Sequence, residues 1–378
     1  MQFSKSQSQF LDGVQDALRR YDSQLKDINH KIWSNPELAY AEFDAHNNVC
    51  ELFENLKSEG YSVTRKAYDL ETALQIEYKY GTGGRVVTFN AEYDALPGIG
   101  HACGHNLIAT SSIAAFISAY ACLMVHPVPI MLDNPELMGM ATILEGGYLA
   151  NDKVKVTFTG KPAHAAAAPW EGINALDAVV SAYVNISMLR QQILPTQKIH
   201  GVITNGGDRP NIIPMSATVE YYIRSPTVKT LKPLTEKVVK CFEAAATATG
   251  CKVELDWGVS YADLKTNLPI CENYVSIMRA LGHHTLLDNS GQKSTLAGAS
   301  TDMGNVSYAV PGFHGIFTIP TEGVNHTPQF TKGAGSEEGF KRALACAAGM
   351  AVVACQILVD DKFAEDVQRN FEGNRSNA

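Results

Sequence analysis

The sequence predicts an α/β protein of two domains, one inserted into the other. Three observations indicate this. The 378 residues exceed what a single hydrophobic core usually supports. Helical and β-rich segments are mixed in the first part of the chain and again after about residue 260. Between them the elements follow the order β-α-β-β-α-β, typical of a split-βαβ sandwich. We therefore assign residues 1–152 and 260–378 to one discontinuous domain and residues 153–259 to the insertion.

The elements before the insertion are predicted from the spacing of apolar residues. Two segments have helical spacing and three short ones are β-rich: in order, residues 10–33, 45–58, 62–65, 72–78 and 85–89. A further helix begins near Leu107. The apolar segment 107–132 is long enough to suggest a membrane span, but Pro127 and Pro129 break it. A buried helix followed by a short strand fits better, so we expect no membrane partner.

The insertion has the clearest pattern. Its strands are predicted at residues 154–159, 198–204, 217–223 and from Cys251 onward, and its helices at 174–191 and 225–249. Ser225 is expected to cap the second helix, with Pro226 at its first position. Gly250 is expected to end that helix.

The segment after the insertion returns to the larger domain. We predict a helix at residues 273–281, a strand in GIFTIP at 315–320, and a long apolar helix from about residue 336 to 359. The last eight residues, FEGNRSNA, have the composition of a frayed end.

Composition excludes several classes of function. With 45% apolar and 19% charged residues, the chain reads as a soluble globular protein. Its net charge of −8 carries no basic cluster, so we expect no nucleic-acid partner. Five of the eight cysteines lie in helix-like apolar segments, as buried reduced thiols do: Cys50, Cys122, Cys241, Cys346 and Cys355. The first residues, MQFSKSQSQFLDG, lack the features of a secretory signal, so we expect a cytoplasmic protein.

The stretch GIGHACGHN, which begins at Gly98, combines metal-ligating residue types. Cys103 and His105 can turn toward one cation, with Gly104 giving the backbone room to bend. His126 and His326 lie at the ends of two other predicted strands, where α/β enzymes place their chemistry. Taken alone, this pattern fits a metal site and ordinary structural histidines equally well.

Several motifs in the same order resemble a known family. They are AEYDALPGIGHACGHN, MVHP, GKPAHAAAAPWEGINALDA, NGGDRPNIIP, YYIRS, STDMGNVSY and NHTPQF. Together they resemble the aminoacylase/carboxypeptidase-G-like metallopeptidases, and most closely the amidohydrolase (Cys-Gly-His) branch with its peptidase-domain dipeptidases. The likeness implies a zinc-peptidase-like α/β catalytic domain with a mainly parallel central sheet. It also implies that the insertion is a lid sandwich through which two copies form a homodimer.

The resemblance assigns roles to individual residues. Four positions match ligands for up to two zinc or manganese ions: Cys103, His105, His126 and His326. Asp94 matches the aspartate that orients a metal ligand. His164 matches a lid histidine that polarises the scissile carbonyl. Asn211 and Arg224 match lid residues that hold the substrate's carbonyl or carboxylate. From the residues alone, Asn211 also fits a turn and Arg224 a strand surface.

A glutamate pair central to this family is absent. It lies between the helix after Cys-Gly-His and the Met-Val-His-Pro strand, where its first member is the general base and its second a metal ligand. Here no glutamate stands between His105 and His126. About one β-α unit is missing, and one of the two metal sites is expected to be weakened. Glu337 and Glu338 fit a helix N-terminus better than a catalytic role, and Glu145 follows His126 on the wrong side of the ligand order.

The implied activity is metal-dependent hydrolysis of an amide bond in a dipeptide or an N-acyl amino acid. Three explanations of the missing pair remain open. The sequence is a shortened gene model or splice form of an active hydrolase, a pseudoenzyme that keeps the fold to bind a small molecule, or an enzyme with rearranged chemistry.

Overall fold

This computed structural model describes residues 5–79, 84–124, 142–144, 148–283, 285–288 and 298–376. The chain divides into two compact units. The first contains Met1–Ile143, Leu268–Leu287 and Gly315–Asn370. The second contains Leu144–Asn267, Asp288–His314 and Phe371–Ala378. The second unit thus takes in the predicted insertion together with segments on either side that the sequence assigned to the larger domain.

The described helices, in chain order, are α1 (Lys5–Arg20), α2 (Asp22–Ser34), α3 (Phe43–Asn55), α4 (His105–Met124), α5 (Ala175–Leu189), α6 (Val228–Thr249), α7 (Leu268–Ala280), α8 (Met303–Ala309), α9 (Pro328–Ala334), α10 (Glu337–Val359) and α11 (Asp361–Ser376). The described strands are β1 (Ser62–Arg65), β2 (Leu74–Glu77), β3 (Thr142–Leu144), β4 (Ala150–Thr159), β5 (Lys198–Asn205), β6 (Ser216–Ser225), β7 (Lys252–Trp257) and β8 (Leu286–Asp288).

The core of the first unit is built around α4. This helix is apolar on nearly every side, and it packs against α1, α2 and α10. Ile117 of α4 and Ala347 of α10 are fully buried. The side chain of Asn106 ties the start of α4 to the unit, since its Nδ2 donates to Asn29 Oδ1 and to the carbonyl of Ala334, each at 2.9 Å. These contacts hold the adjacent His105 in place.

Two described helices are long and apolar enough to cross a membrane by length and composition. They are the segments His105–Leu123 and Glu337–Val359. The apolar windows of these helices are 78% and 61% buried, which is the behaviour of core helices.

The parallel central sheet predicted for the larger domain is not assembled among the described residues. The predicted strands at 85–89 and 315–320 are corrected here: the first has no strand pairing and the second only a bridge at Ile316. A strand needs a hydrogen-bonded neighbour, and residues 125–141, which hold one predicted neighbour, are outside the described part. Strands β1 and β2 pair antiparallel, and β3 pairs with β8.

The second unit contains the predicted β-α-β-β-α-β sandwich. Its four strands are antiparallel in the order β5-β6-β4-β7. Alternate residues of β4 and β6 face the helices α5 and α6, so that Phe158, Tyr221 and Ile223 are almost fully buried. Phe242 of α6 meets the ring of Tyr221 edge-on at 5.6 Å.

Two predictions about helix ends are wrong. Thr227, not Ser225, caps α6: its Oγ1 accepts the backbone N–H of Thr230, whose own hydroxyl accepts the N–H of Thr227. Ser225 is instead the last residue of β6. The end of the chain is helical through Ser376 rather than frayed, because Val367 and Phe371 on α11 are buried.

All eight cysteines are free thiols. Of the five predicted to be buried, only Cys241 is half-buried.

Candidate active site

The Cys-Gly-His loop leads directly into α4. Gly104 adopts φ +82°, a conformation that favours glycine, and a Cβ there would lie 3.3 Å from the Phe330 ring of α9. The turn places Cys103 and His105 on the two sides of this glycine. Both lie within the first unit, with Cys103 half-buried.

Asp94 contacts the ring of His105 through both its backbone and its side chain. His105 Nδ1 lies 2.9 Å from the backbone carbonyl oxygen of Asp94 and 2.9 Å from its Oδ1. A proton on Nδ1 satisfies these acceptors, and whenever the ring is neutral its lone pair is then on Nε2. Metal-ligating histidines are held in this way by carboxylates and carbonyls.

A second carboxylate, which sequence reasoning missed, faces the other nitrogen of the same ring. Glu92 Oε2 lies 3.3 Å from His105 Nε2. Glu92 stands two residues before Asp94 in AEYDALP, and that spacing of two carboxylates is the only sequence signal that could have identified it.

The two carboxylates set the electrostatics of the loop. Burial alone would raise the pKa of Asp94, but its hydrogen bond with His105 and the charge of that ring hold the pKa below 3.8. Burial would lower the pKa of His105, yet the hydrogen bond to Asp94 and the charges of Asp94 and Glu92 raise it above 6.5. Burial, followed by the charges of Asp94 and Glu92, raises the pKa of Cys103 to about 11. The charges of Asp94 and Glu92 thus make the loop an electronegative environment that favours a cation.

The loop that carries His326 meets the Cys-Gly-His loop through the backbone. The N–H of His326 donates to the carbonyl of Ala102 at 3.0 Å. His326 adopts φ +69°, a strained conformation for a residue with a side chain, and Thr327 then caps α9. His101, by contrast, serves the core, because its Nε2 lies 2.9 Å from the carbonyl oxygen of Ile32 on α2.

The donors present fit a divalent cation by their chemistry. Thiolate, imidazole and carboxylate are the ligands that zinc accepts. Within the described ranges, however, no group of three or more His, Cys, Asp or Glu side chains is close enough to hold an ion. His126 and Glu145 lie outside the described residues. The four-ligand set therefore stays a prediction.

In the second unit, His164 and Asn211 lie on two loops that pair with each other. The N–H of Ala165 donates to the carbonyl of Asn211 at 3.1 Å, and His164 forms a bridge with Ile212. His164 Nδ1 accepts two backbone N–H groups, at 3.2 and 3.1 Å. The ring proton is therefore on Nε2, which makes exposed His164 a donor for a carbonyl oxygen.

Arg224 is held by three partners. Its Nε donates to His200 Nε2 at 3.3 Å, and its Nη1 donates to Ser300 Oγ at 2.8 Å and to the carbonyl of Gly298 at 3.3 Å. The remaining nitrogen, Nη2, has no hydrogen-bond partner among the described residues. It is the atom that Arg224 can offer to a ligand. His200 and Ser300 were missed by sequence reasoning, because nothing local links them to Arg224.

Glu337 and Glu338 take the structural role expected of them. They occupy the first turn of α10, where Glu338 accepts from Arg342 and Glu337 pairs with Lys26 at 3.3 Å.

Comparisons with known proteins identify the family. The mouse Xaa-Arg dipeptidase is 38% identical over 383 residues, covering 91% of this chain and 88% of that relative. The chain belongs to the M20 peptidase family. Residues 151–249 match the family model described as a peptidase dimerisation domain. As an M20 member the chain falls among metallo-dipeptidases and amidohydrolases, which confirms the resemblance read from its motifs.

Solved structures of M20 peptidases and aminohydrolases have the same fold. A putative aminohydrolase from methicillin-resistant Staphylococcus aureus superposes with a TM-score of 0.68 at 15% identity, covering 92% of this chain and 99% of that one. A dinuclear metal-binding M20 peptidase from Bacillus subtilis gives 0.61 at 19% identity, with coverage of 91% and 99%. The α/β class with an inserted sheet-helix domain is thereby confirmed.

Proposed function

We propose that this chain hydrolyses the amide bond of a dipeptide, with a zinc or manganese ion at the Cys103–His105 loop. The observation that carries the proposal is the contact of His105 Nδ1 with Asp94, which leaves Nε2 facing the carboxylate of Glu92. A divalent cation there supplies Lewis-acid polarisation of the scissile carbonyl.

The residues of the second unit support the assignment of a dipeptide. His164 offers a ring N–H to the carbonyl oxygen, where negative charge develops during hydrolysis. Arg224 Nη2 offers donors to the free carboxylate of the C-terminal residue. The similar mouse protein is named an Xaa-Arg dipeptidase, so dipeptides that end in a basic residue are the first substrates to test.

The absence of the family's glutamate pair lowers the proposed rate. A positioned general base contributes about 10²–10⁴-fold, and no glutamate lies between His105 and His126 to supply it. The same observation favours a second candidate function, a protein that binds dipeptides without hydrolysing them.

One experiment separates these functions. Purified protein is freed of metal with a chelator, reloaded with Zn²⁺ or Mn²⁺, and assayed for amino-acid release from Xaa-Arg and Xaa-Lys dipeptides. Metal-dependent release that disappears in His105→Ala supports the hydrolase. Dipeptide binding by calorimetry without any release supports the binding protein. If the protein shows neither amino-acid release nor dipeptide binding, both candidate functions are refuted.

We further propose that the chain forms a homodimer through the dimerisation region of the second unit. Strand β5 is an edge of the four-stranded sheet and exposes Val202 by 59%, while α5 exposes Val184 by 49% and Met188 by 62%. The opposite edge, β7, carries alternating charges and is protected from pairing. An exposed apolar edge beside an apolar helix face is what a second copy can cover.

Light scattering after size exclusion tests the dimer. Val202→Lys is expected to give monomers, and Val259→Lys, at a similarly exposed valine of the same unit outside residues 151–249, is the matched control. A dimer that survives Val202→Lys and Val184→Glu together contradicts this interface.

We also propose a cytoplasmic location, which the eight free thiols support.

A further inference from the structure

Glu92 approaches His105 at Nε2, the ring nitrogen that remains to bind a metal ion. Its Oε2 lies 3.3 Å from Nε2, while Nδ1 on the far side of the ring is engaged by Asp94. Both side chains are shielded, with the His105 side chain 16% exposed and that of Glu92 34%. The contact is therefore part of the loop and not a chance surface pair.

A ring nitrogen and a carboxylate oxygen face each other in this contact. The carboxylate oxygen presents lone pairs and negative charge toward Nε2. Such an approach is repulsive unless a positive species, a proton or a metal ion, lies between the two atoms.

The distance matches two neighbouring ligands of one ion. Zinc binds histidine nitrogen at about 2.0–2.1 Å and carboxylate oxygen at about 2.0–2.2 Å in a tetrahedral arrangement. Two such ligands at the tetrahedral angle are separated by about 3.3–3.5 Å. The observed separation of 3.3 Å falls in that range.

We propose that Glu92 is a metal ligand that shares one cation with His105. It thereby supplies to the metal site a carboxylate of the kind that the segment between His105 and His126 lacks. The inference rests on the proposed function, because it assumes that the Cys103–His105 loop holds a metal.

Metal binding, not activity, tests the inference. Zn²⁺ and Mn²⁺ are titrated into metal-free wild type, Glu92→Gln and Glu92→Asp by calorimetry, and bound metal is counted by mass spectrometry. Glu51→Gln, an equal change of charge at an exposed residue of α3, is the control. Loss of an outer partner costs about 10–100-fold in affinity, so loss of a direct ligand should exceed about 100-fold. Glu92→Asp should recover part of that loss.

Co²⁺ loading gives a second readout. The visible d–d spectrum reports the ligand set, so Glu92→Gln should change it and Glu51→Gln should not. Thermal melting of the metal-free proteins checks that each variant is folded. If Glu92→Gln binds within threefold of wild type with an unchanged spectrum, the contact is only a protonated ion pair and the inference is wrong. Wild type that hydrolyses dipeptides in that case keeps the proposed function intact, whereas wild type that binds no metal overturns both.

Discussion

Metal binding by this chain is expected to strengthen steeply with pH, because Cys103 must lose a proton before it can ligate. Burial and the charges of Asp94 and Glu92 raise the pKa of this thiol from 9.0 to about 11. Relative to a thiol with a pKa of 9.0, this rise of about two pKa units weakens the free energy of metal binding at neutral pH by about 2.7 kcal/mol, at about 1.36 kcal/mol per unit. At any pH well below 11, the apparent affinity should therefore rise about tenfold per pH unit from this proton alone.

His105 adds to the slope at the acid end. Its pKa is raised above 6.5, so below that raised value a second proton must leave and the slope should approach a hundredfold per pH unit. The assay is competition for Zn²⁺ with a chromophoric chelator from pH 6.0 to 8.5. Calorimetry in buffers of different ionisation enthalpy counts the protons released.

Variants separate the two contributions. Cys103→Ser should remove the tenfold change in Zn²⁺ affinity per pH unit that the thiol contributes. Cys241→Ser, at a half-buried thiol of the second unit, should leave the pH dependence of the affinity unchanged. A wild-type affinity that does not vary with pH, or a slope that Cys103→Ser leaves intact, refutes the assignment of Cys103 as a ligand that binds as thiolate.

Three further predictions concern the rest of the molecule. His200→Phe should raise KM for dipeptides about tenfold with little change in kcat, because Arg224 loses a hydrogen bond that directs Nη2. The rise in KM should be smaller for dipeptides with an amidated C-terminus. His200→Gln should restore the KM in the same steady-state assay. Burial lowers the pKa of His314 below 6.5, so on acidification the imidazole is protonated in the unfolded chain before it is protonated in the folded chain. The free energy of unfolding should therefore fall below about pH 6.5, by at most about 1.4 kcal/mol per pH unit. Urea unfolding at pH 7.5 and 5.5 should show a smaller fall in His314→Gln than in wild type, and an equal fall contradicts this prediction. Thr227→Ala should destabilise the second unit by about 1 kcal/mol in urea unfolding, with Thr247→Ala, inside the same helix, as the comparison.

The site shows which residues local sequence can identify. Cys103, His105 and Asp94 stand out because they lie close together in one motif, and the hydrogen bond between Asp94 and His105 follows from that closeness. His200 and Ser300 lie 24 and 76 residues from the arginine they hold. Nothing in the sequence links such distant positions until strands and loops bring them together.

Local sequence by itself determined most of the longer helices and the inserted sandwich, but not α8, α9 or α11. Periods of 3.6 and 2 mark which face of an element is buried, and in the second unit each strand pairs with another strand of the same short segment. Only the tertiary structure decided the rest: that residues 85–89 form no strand, that Thr227 rather than Ser225 caps α6, and that Glu92 faces His105. The physical reason is that strand pairing, capping geometry and contacts between side chains depend on partners whose distance the spacing of residues does not contain.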